Sequence, residues 1–433
     1  MDTVLIRQMK GFYENELTNN ILSFWLPRCL DEKHGGYFNC FDNAGEHLTS
    51  RDKYTWSQGR FVWMFAKLAD MRSDTFTSEQ RAEFLRLAEN GAHFLREHCL
   101  IGPDDWRCVF LMDETGAPKQ VEGYEELDLS IYADCFVVCG LSRFAAVSGR
   151  EEDFAFARRL YRSCRERYDA GTYKTLPYPL SGEYRAHGVP MILTNVAAEL
   201  FGAAGLFDAA FAESLKADIA RFSGCVLNDF TDAQNVVHEV IRNSGGFFGG
   251  VLGTHANPGH TLEDMWFIAE AAEILGEGTR RERAAAIAKK ALEIGWDAEF
   301  GGLMHFVSTD GGAPGIPLAE EANEPTVKQV LSGWGDKLWW VHAEALYTTL
   351  LFCLTQKDEA FLRWHRKVFA YTFSHFPNSD REVREWVQIL KRDGTPQEKV
   401  VALPVKDPYH IARALILMIE LLERAEAGGA LAH

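Results

Sequence analysis

Two histidines occupy segments of the same design. Asn257-Pro258-Gly259-His260 is followed three residues on by Glu263, and Asp407-Pro408-Tyr409-His410 three residues on by Arg413. Pro and Gly interrupt the preceding chain, so each ring belongs at or near a helix start, with Pro408 read as the first helical residue in the second case. Residues three apart share a helix face, which gives each histidine a charged neighbour one turn on. An imidazole titrates near pH 6.5 and can take or give a proton close to neutrality. The positive end of a helix disfavours the imidazolium and leaves a neutral ring able to act as base. Either histidine alone is explained by a hydrogen-bonded cap. The matched placement of both favours proton transfer.

Other residues suit such a site. Arg60 is a charge among Trp56, Phe61, Val62 and Trp63, and a charge in such surroundings needs a partner. That partner is either a carboxylate such as Asp134 or Glu344, or a substrate oxygen. Gly59 beside it costs about 1 kcal/mol relative to alanine inside a helix, which points to close packing. Trp340 and Glu344, four apart, would set a stacking surface beside a hydroxyl acceptor. Tyr132-Ala133-Asp134-Cys135-Phe136 reads as packing. His187 precedes another apolar helix and is placed at the same rim.

The elements that must hold these side chains repeat along the chain. Six segments, 54–69, 129–147, 189–204, 260–275, 337–354 and 409–422, are apolar nearly all round, and such helices are buried on every side. Amphipathic helices precede them, for example 79–97, 151–167 and 280–294, where Phe84, Leu87, Ala88, Gly91 and Leu95 follow the helical period. Six outer–inner pairs predict an all-α, closed (α/α)6 barrel, a toroid of six helical hairpins forming a single catalytic domain over 1–433. Asp31-Glu-Lys-His-Gly-Gly-Tyr-Phe resembles Asp297-Ala-Glu-Phe-Gly-Gly-Leu-Met, and each leads to a helix opened by a lysine, Lys53 or Lys337. Both read as short β-hairpins with glycine-supplied turns. Repeats of this kind gather the inner-helix starts, and the chemistry, at one rim.

Composition removes several classes. The net charge of −17 excludes a nucleic-acid partner, because phosphate binding rests on clustered Lys and Arg. No apolar run is read as approaching the roughly 20 residues of a membrane span, so no membrane partner is expected. The N-terminal MDTVLIRQMKGFYENEL lacks the apolar stretch of a signal peptide. The nine cysteines are scattered without a CxxC pair, which suits a reduced, cytoplasmic protein. The glycine-rich stretch 245–253 lacks GK[ST] and reads as a hairpin rather than a phosphate loop. His255 and His260 lie five apart with no HExxH or Cys/His quartet, so no metal is assigned. Aromatic residues at 12%, including 11 tryptophans, offer surfaces for the C–H faces of a small-molecule sugar.

The segments KYTWSQGRFVWMF, NPGHTLEDMWF, KLWWVHAEAL and KDPYHIARAL, in this order, resemble the N-acylglucosamine 2-epimerase family, which also contains cellobiose 2-epimerases and bacterial mannose isomerases. The resemblance runs from about residue 10 to 425 and itself implies an (α/α)6 barrel. It implies that His260 and His410 are the general acid/base pair and that Arg60 holds the carbonyl-side oxygens of the sugar. Glu263, Glu344 and Arg413 are implied as polar pocket residues, and Trp266 and Trp340 as aromatic ones; Trp56 and His187 complete the expected substrate-binding set. Ile192, after Met191, stands where the cellobiose and mannose branches carry a histidine, which favours the N-acyl branch. The expected reaction interconverts N-acyl-D-glucosamine and N-acyl-D-mannosamine through proton transfer at C2 of the open-chain sugar. An aldose–ketose isomerase of the mannose–fructose type is the alternative. A glycoside hydrolase, drawing on Asp128, Asp134, Glu263 or Glu344, or a silent sugar-binding module stands behind it. No cofactor is required; ATP as an allosteric activator is implied by resemblance only, and a homodimer is the assembly expected.

Overall fold

The computed structural model describes residues 2–428. Twelve long helices organise the described residues: α1 (Thr3–Glu16), α2 (Thr55–Asp70), α3 (Ser78–His98), α4 (Ile131–Ser148), α5 (Glu151–Ala170), α6 (Gly188–Phe207), α7 (Ala209–Cys225), α8 (Pro258–Leu275), α9 (Gly278–Gly295), α10 (Trp339–Gln356), α11 (Glu359–His375) and α12 (Tyr409–Glu426). The even-numbered helices each touch the next in the series, and α12 closes onto α2, so six apolar helices form a ring. The odd-numbered helices form the outer layer. The fold is an (α/α)6 barrel, as the periodicity predicts.

The pairing differs in one respect from the sequence reading. Each outer helix packs chiefly on the inner helix that precedes it, not on the one that follows. The reason is chain length: tight turns such as 149–150 and 276–277 join inner to outer helix, and short connections make antiparallel neighbours. Long connections, 99–130, 226–257 and 296–338 among them, run from an outer helix to the next inner one. They collect where the inner helices begin. The first helix, α1, packs on the last, α12, and thereby completes the outer layer.

Helices α4 and α6 are long and apolar enough by composition to cross a membrane, contrary to the reading that no run approaches that length, but 78% of each such window is buried. Their all-round apolarity reflects burial between an outer helix and two ring neighbours. The crossing of α2 with α4 depends on small residues: a Cβ on Gly59 would lie 2.3 Å from the Phe136 carbonyl oxygen, and one on Gly140 would lie 2.5 Å from that of Gly59. This contact brings Arg60, the next residue, against the Phe136 ring.

The repeated hairpins owe their likeness to buried lysines. Lys53 Nζ donates to Asp31 at 2.7 Å and to the carbonyl of Gly35 at 2.6 Å. Lys337 Nζ donates to Asp297 at 3.1 Å and to the carbonyl of Gly301. Both lysines are fully buried. The turns they hold have φ of +79° and +73° at Gly35 and Gly36, and +75° and +76° at Gly301 and Gly302, the left-handed region that glycine enters without penalty. Each lysine also lies in a two-residue ladder, Lys53–Tyr54 against Leu111–Met112 and Lys337–Leu338 against Ile389–Leu390, which fixes the start of α2 or α10. The glycine-rich stretch 245–253 is not the expected hairpin. Val240–Arg242 pairs with Tyr184–Ala186, and the chain then turns into a short helix at Gly250–Gly253 whose Val251 and Leu252 N–H groups donate to Glu321.

Two consequences are measurable. Gly59→Ala overpacks the α2–α4 crossing and should cost about 1–3 kcal/mol, lowering Tm by several degrees; an unchanged Tm would show that the crossing tolerates a methyl. Burial also lowers His342 to about 3 and His365 to about 4, so both stay neutral when folded while the unfolded chain binds protons below about pH 6.5. Their stabilising contribution is complete above that pH and declines as pH falls toward 4, by up to about 1.4 kcal/mol per pH unit for each ring. Urea melts should show this slope, and His342→Gln should reduce it by one ring's share.

Candidate active site

A cavity of about 500 Å³ opens at the rim where the inner helices begin, a size that suits a small ligand. Every inner helix contributes to its wall: Trp56 and Arg60 from α2, Tyr132 and Phe136 from α4, Met191 and Ile192 from α6, His260 and Glu263 from α8, Trp340 from α10 and His410 from α12. The segment 398–407 lines a further part, together with residues of the connections such as Phe41, Asn43, Tyr178 and Gln388. The two histidines, on helices far apart in sequence, share this one space. The Trp340 ring touches both, with centroids 5.2 Å from His260 and 5.7 Å from His410.

His410 follows Tyr409, the first residue of α12; Pro408 precedes the helix instead of opening it, and Asp407 accepts the Tyr409 N–H at 2.8 Å. Of the two neighbours of its Nδ1, Glu344 Oε1 at 2.7 Å and Arg413 Nη2 at 3.3 Å, only the carboxylate accepts. Nδ1 therefore carries the hydrogen. Its Nε2 faces Arg60 Nη2 at 3.2 Å, and a guanidinium can only donate, so Nε2 presents its lone pair. This tautomer is assigned from the hydrogen-bond network. Burial is the largest cause of a pKa lowered to about 3; Glu263 opposes it, and Arg60 and Arg413 add to it. The ring is neutral, with Nε2 as the basic atom.

His260 is the third residue of α8, its N–H donating to the capping Asn257 side chain at 3.1 Å. Its Nδ1 lies 2.9 Å from Glu239 Oε2. Glu239 Oε1 lies 3.1 Å from His187 Nδ1, and His187 Nε2 lies 2.7 Å from Asp264 Oδ2. Burial opposes charge on His187, but the flanking Glu239 and Asp264 prevail and raise it to about 10. Glu239 is held below the usual carboxylate range by His260 and His187 despite burial. An imidazolium thus sits between two carboxylates, and Glu239, which it shares with His260, places a counter-charge behind that ring. Both cavity histidines rest Nδ1 on a carboxylate, but guanidiniums flank His410, whereas the buried His187 imidazolium lies behind the carboxylate of His260.

Arg60 pairs with Asp407, not with Asp134 or Glu344. Its guanidinium lies 4.1 Å from the centroid of Phe136 and 5.0 Å from those of Trp56 and Tyr409. Asp134 is taken by Arg167 at 2.7 Å.

Four residues expected to contact substrate lie behind the wall instead. Glu344, 1% exposed, uses Oε1 for His410 and Arg413 and Oε2 for the Trp266 indole N–H at 2.8 Å. Arg413, also 1% exposed, joins Glu344 to Glu263. Trp266 supports Glu344, and the fully buried His187 supports Glu239. Long polar side chains at helix starts read from sequence as cavity residues, but ring closure turns these four toward neighbouring helices. Glu239, Asp264 and Asp407 were missed. Asp407 precedes Pro408 at a helix start, a legible signal; Glu239 lies just before a short strand, where no period marks it.

The trios His187/Glu239/His260 and Glu263/Glu344/His410 have donor atoms within 4.8 Å of one another and could in principle hold a metal. In the first the donors bond one another through the bridging Glu239. In the second the Arg413 guanidinium already supplies the positive charge. Both trios work as hydrogen-bond frames for an imidazole.

The family model described as N-acylglucosamine 2-epimerase (GlcNAc 2-epimerase) matches residues 36–414. The N-acylglucosamine 2-epimerase of Bos taurus is 30% identical over 425 residues, covering 96% of this chain and 92% of its own. A cellobiose 2-epimerase of Ruminococcus albus is 22% identical over 419 residues, 93% of this chain and 96% of that one. The solved structure of cellobiose 2-epimerase from Bacillus thermoamylovorans shares the fold, with a TM-score of 0.73 at 20% identity across 96% of this chain and 99% of that one. Since the matched residues span five inner helices, the start of the sixth and both cavity histidines, the chain belongs to the N-acylglucosamine 2-epimerase family of isomerases.

Proposed function

We propose that this protein is a sugar 2-epimerase that interconverts N-acyl-D-glucosamine and N-acyl-D-mannosamine by moving a proton at C2 of the open-chain sugar. The observation that carries the reading is the shared cavity with two unlike imidazoles, each with Nδ1 on a buried carboxylate, and with His410 Nε2 turned to Arg60 at the cavity wall. In one direction His410 Nε2 takes the C2 proton. The C–H electron pair becomes the C1=C2 bond, and the carbonyl pair moves to O1 as an enolate. Arg60 donates to that oxygen; a substrate oxygen taking its N–H also frees His410 Nε2. Donors aimed at developing charge are often the largest catalytic contribution. His260, protonated and backed by Glu239, returns a proton to the opposite face, and C2 is inverted. Reversal exchanges the roles, as a two-base epimerisation requires.

The atoms and electrons balance between two rings and one sugar, so the step needs no cofactor. ATP as an activator rests on family resemblance, and a homodimer in the cytoplasm is part of the same proposal; sedimentation of the purified chain tests the assembly. Delivery of the proton to C1 instead would give a ketose, so an aldose–ketose isomerase is the nearest alternative reading. Hydrolysis needs two carboxylates flanking a bond, and Asp128, Asp134, Glu263 and Glu344 are each engaged by arginine.

Proton NMR in D2O with N-acetylglucosamine, N-acetylmannosamine, mannose, glucose and cellobiose, with and without ATP, reads C2 exchange and product directly. His260→Ala and His410→Ala should each lose exchange by about 10²–10⁴-fold; exchange at the wild-type rate in either would defeat the assignment. Arg60→Met should lower kcat by about 10²–10³-fold. Loss confined to KM would instead make Arg60 a binding residue only.

A further inference from the structure

The cavity wall is not uniform. Five of the inner helices present aromatic, hydrogen-bonding or charged side chains to it, whereas α6 presents Gly188, Met191 and Ile192. Met191 is 6% and Ile192 3% exposed, so what they show faces the cavity and not bulk solvent. This aliphatic strip also has a defined address. Helix α6 begins directly after His187, whose ring centroid lies 6.4 Å from that of His260, and both rings are held by Glu239. The strip therefore flanks one of the two bases. At its edge stands Tyr132: a Cβ on Gly188 would lie 2.7 Å from the Tyr132 hydroxyl oxygen, so the missing side chain leaves room for that hydroxyl.

A sugar whose C2 lies between His260 and His410 must send its C2 substituent sideways, along a wall next to one of them. A hydroxyl directed at Met191 and Ile192 would lose its water without gaining a partner, which is costly. The methyl of an acylamido group directed there is removed from water favourably, and its carbonyl can accept from Tyr132. We propose that Met191, Ile192 and Tyr132 form the subsite for the acyl group on C2, and that Met191 and Ile192 set the preference for 2-acylamido over 2-hydroxy sugars. This rests on the proton-transfer reading above and assigns its substrate selectivity to residues that touch neither moving proton.

The test compares kcat/KM for N-formyl-, N-acetyl-, N-propionyl- and N-glycolylmannosamine and for mannose, read as C2 exchange. With the wild-type protein, N-acetyl should exceed N-formyl by about fourfold, the value of one buried methyl, and N-glycolyl, equal in size to N-propionyl but polar, should fall clearly below it. Met191→Gln and Ile192→Thr should each lower the N-acetylmannosamine-to-mannose ratio tenfold or more. An unchanged ratio in both variants, or equal rates for N-propionyl and N-glycolyl sugars, would overturn the subsite. The acyl series on the wild type decides the matter if a variant does not fold. Exchange on mannose with none on any N-acyl sugar would instead overturn the substrate reading beneath it, whereas N-acyl exchange with a flat series would sink the subsite alone.

Discussion

Glu344 holds the point on which the site depends. One oxygen takes the Nδ1 hydrogen of His410 and a donor of Arg413, and the other takes the Trp266 indole hydrogen. With those bonds in place the His410 ring has one orientation and one tautomer, and its Nε2 lone pair meets Arg60. Without them a buried imidazole beside two guanidiniums would have a donor to satisfy and nothing to accept it. Glu239 performs the corresponding service for His260, with a buried imidazolium at its back. The two carboxylates hold the two rings alike by Nδ1, and the difference between the rings lies in the Arg60 and Arg413 guanidiniums beside His410.

The barrel makes this arrangement affordable in chain length. Short turns on one side force each outer helix back along its inner partner, so every long connection emerges on the other side. The starts of six inner helices then face one cavity, and side chains separated by as much as most of the sequence become neighbours: Arg60 meets Asp407, and Glu263 meets Arg413. Buried lysines under glycine turns fix the entry of α2 and α10, while Gly59 and Gly140 let α2 and α4 approach closely enough to seat Arg60 on Phe136. Positioning of the reactive groups is thus spread over backbone contacts remote from the chemistry.

The helices were legible because burial on all sides leaves an unambiguous mark: the predicted 409–422 lies inside the observed α12, and 260–275 differs from α8 only at its first turn. The two histidines and Arg60 were legible because polar residues at apolar helix starts stand out. Which way a side chain leaves its helix was not. Glu263 and Glu344 look alike in sequence, yet one lines the cavity and the other is sealed behind His410. Glu239 was invisible for a related reason: it sits on a connection, where no period relates residue number to direction.

If His260 and His410 both move the proton, C2 of the open-chain sugar must lie between their two imidazole nitrogens, one on each face. A crystal structure with N-acetylglucosaminitol, an open-chain alcohol that cannot react, tests it most directly. C2 should then lie about 3–3.5 Å from Nε2 of both His260 and His410, the separation of a reactive geometry, with O1 on Arg60. An alditol bound with C2 beside only one ring, or bound outside the cavity altogether, would contradict it.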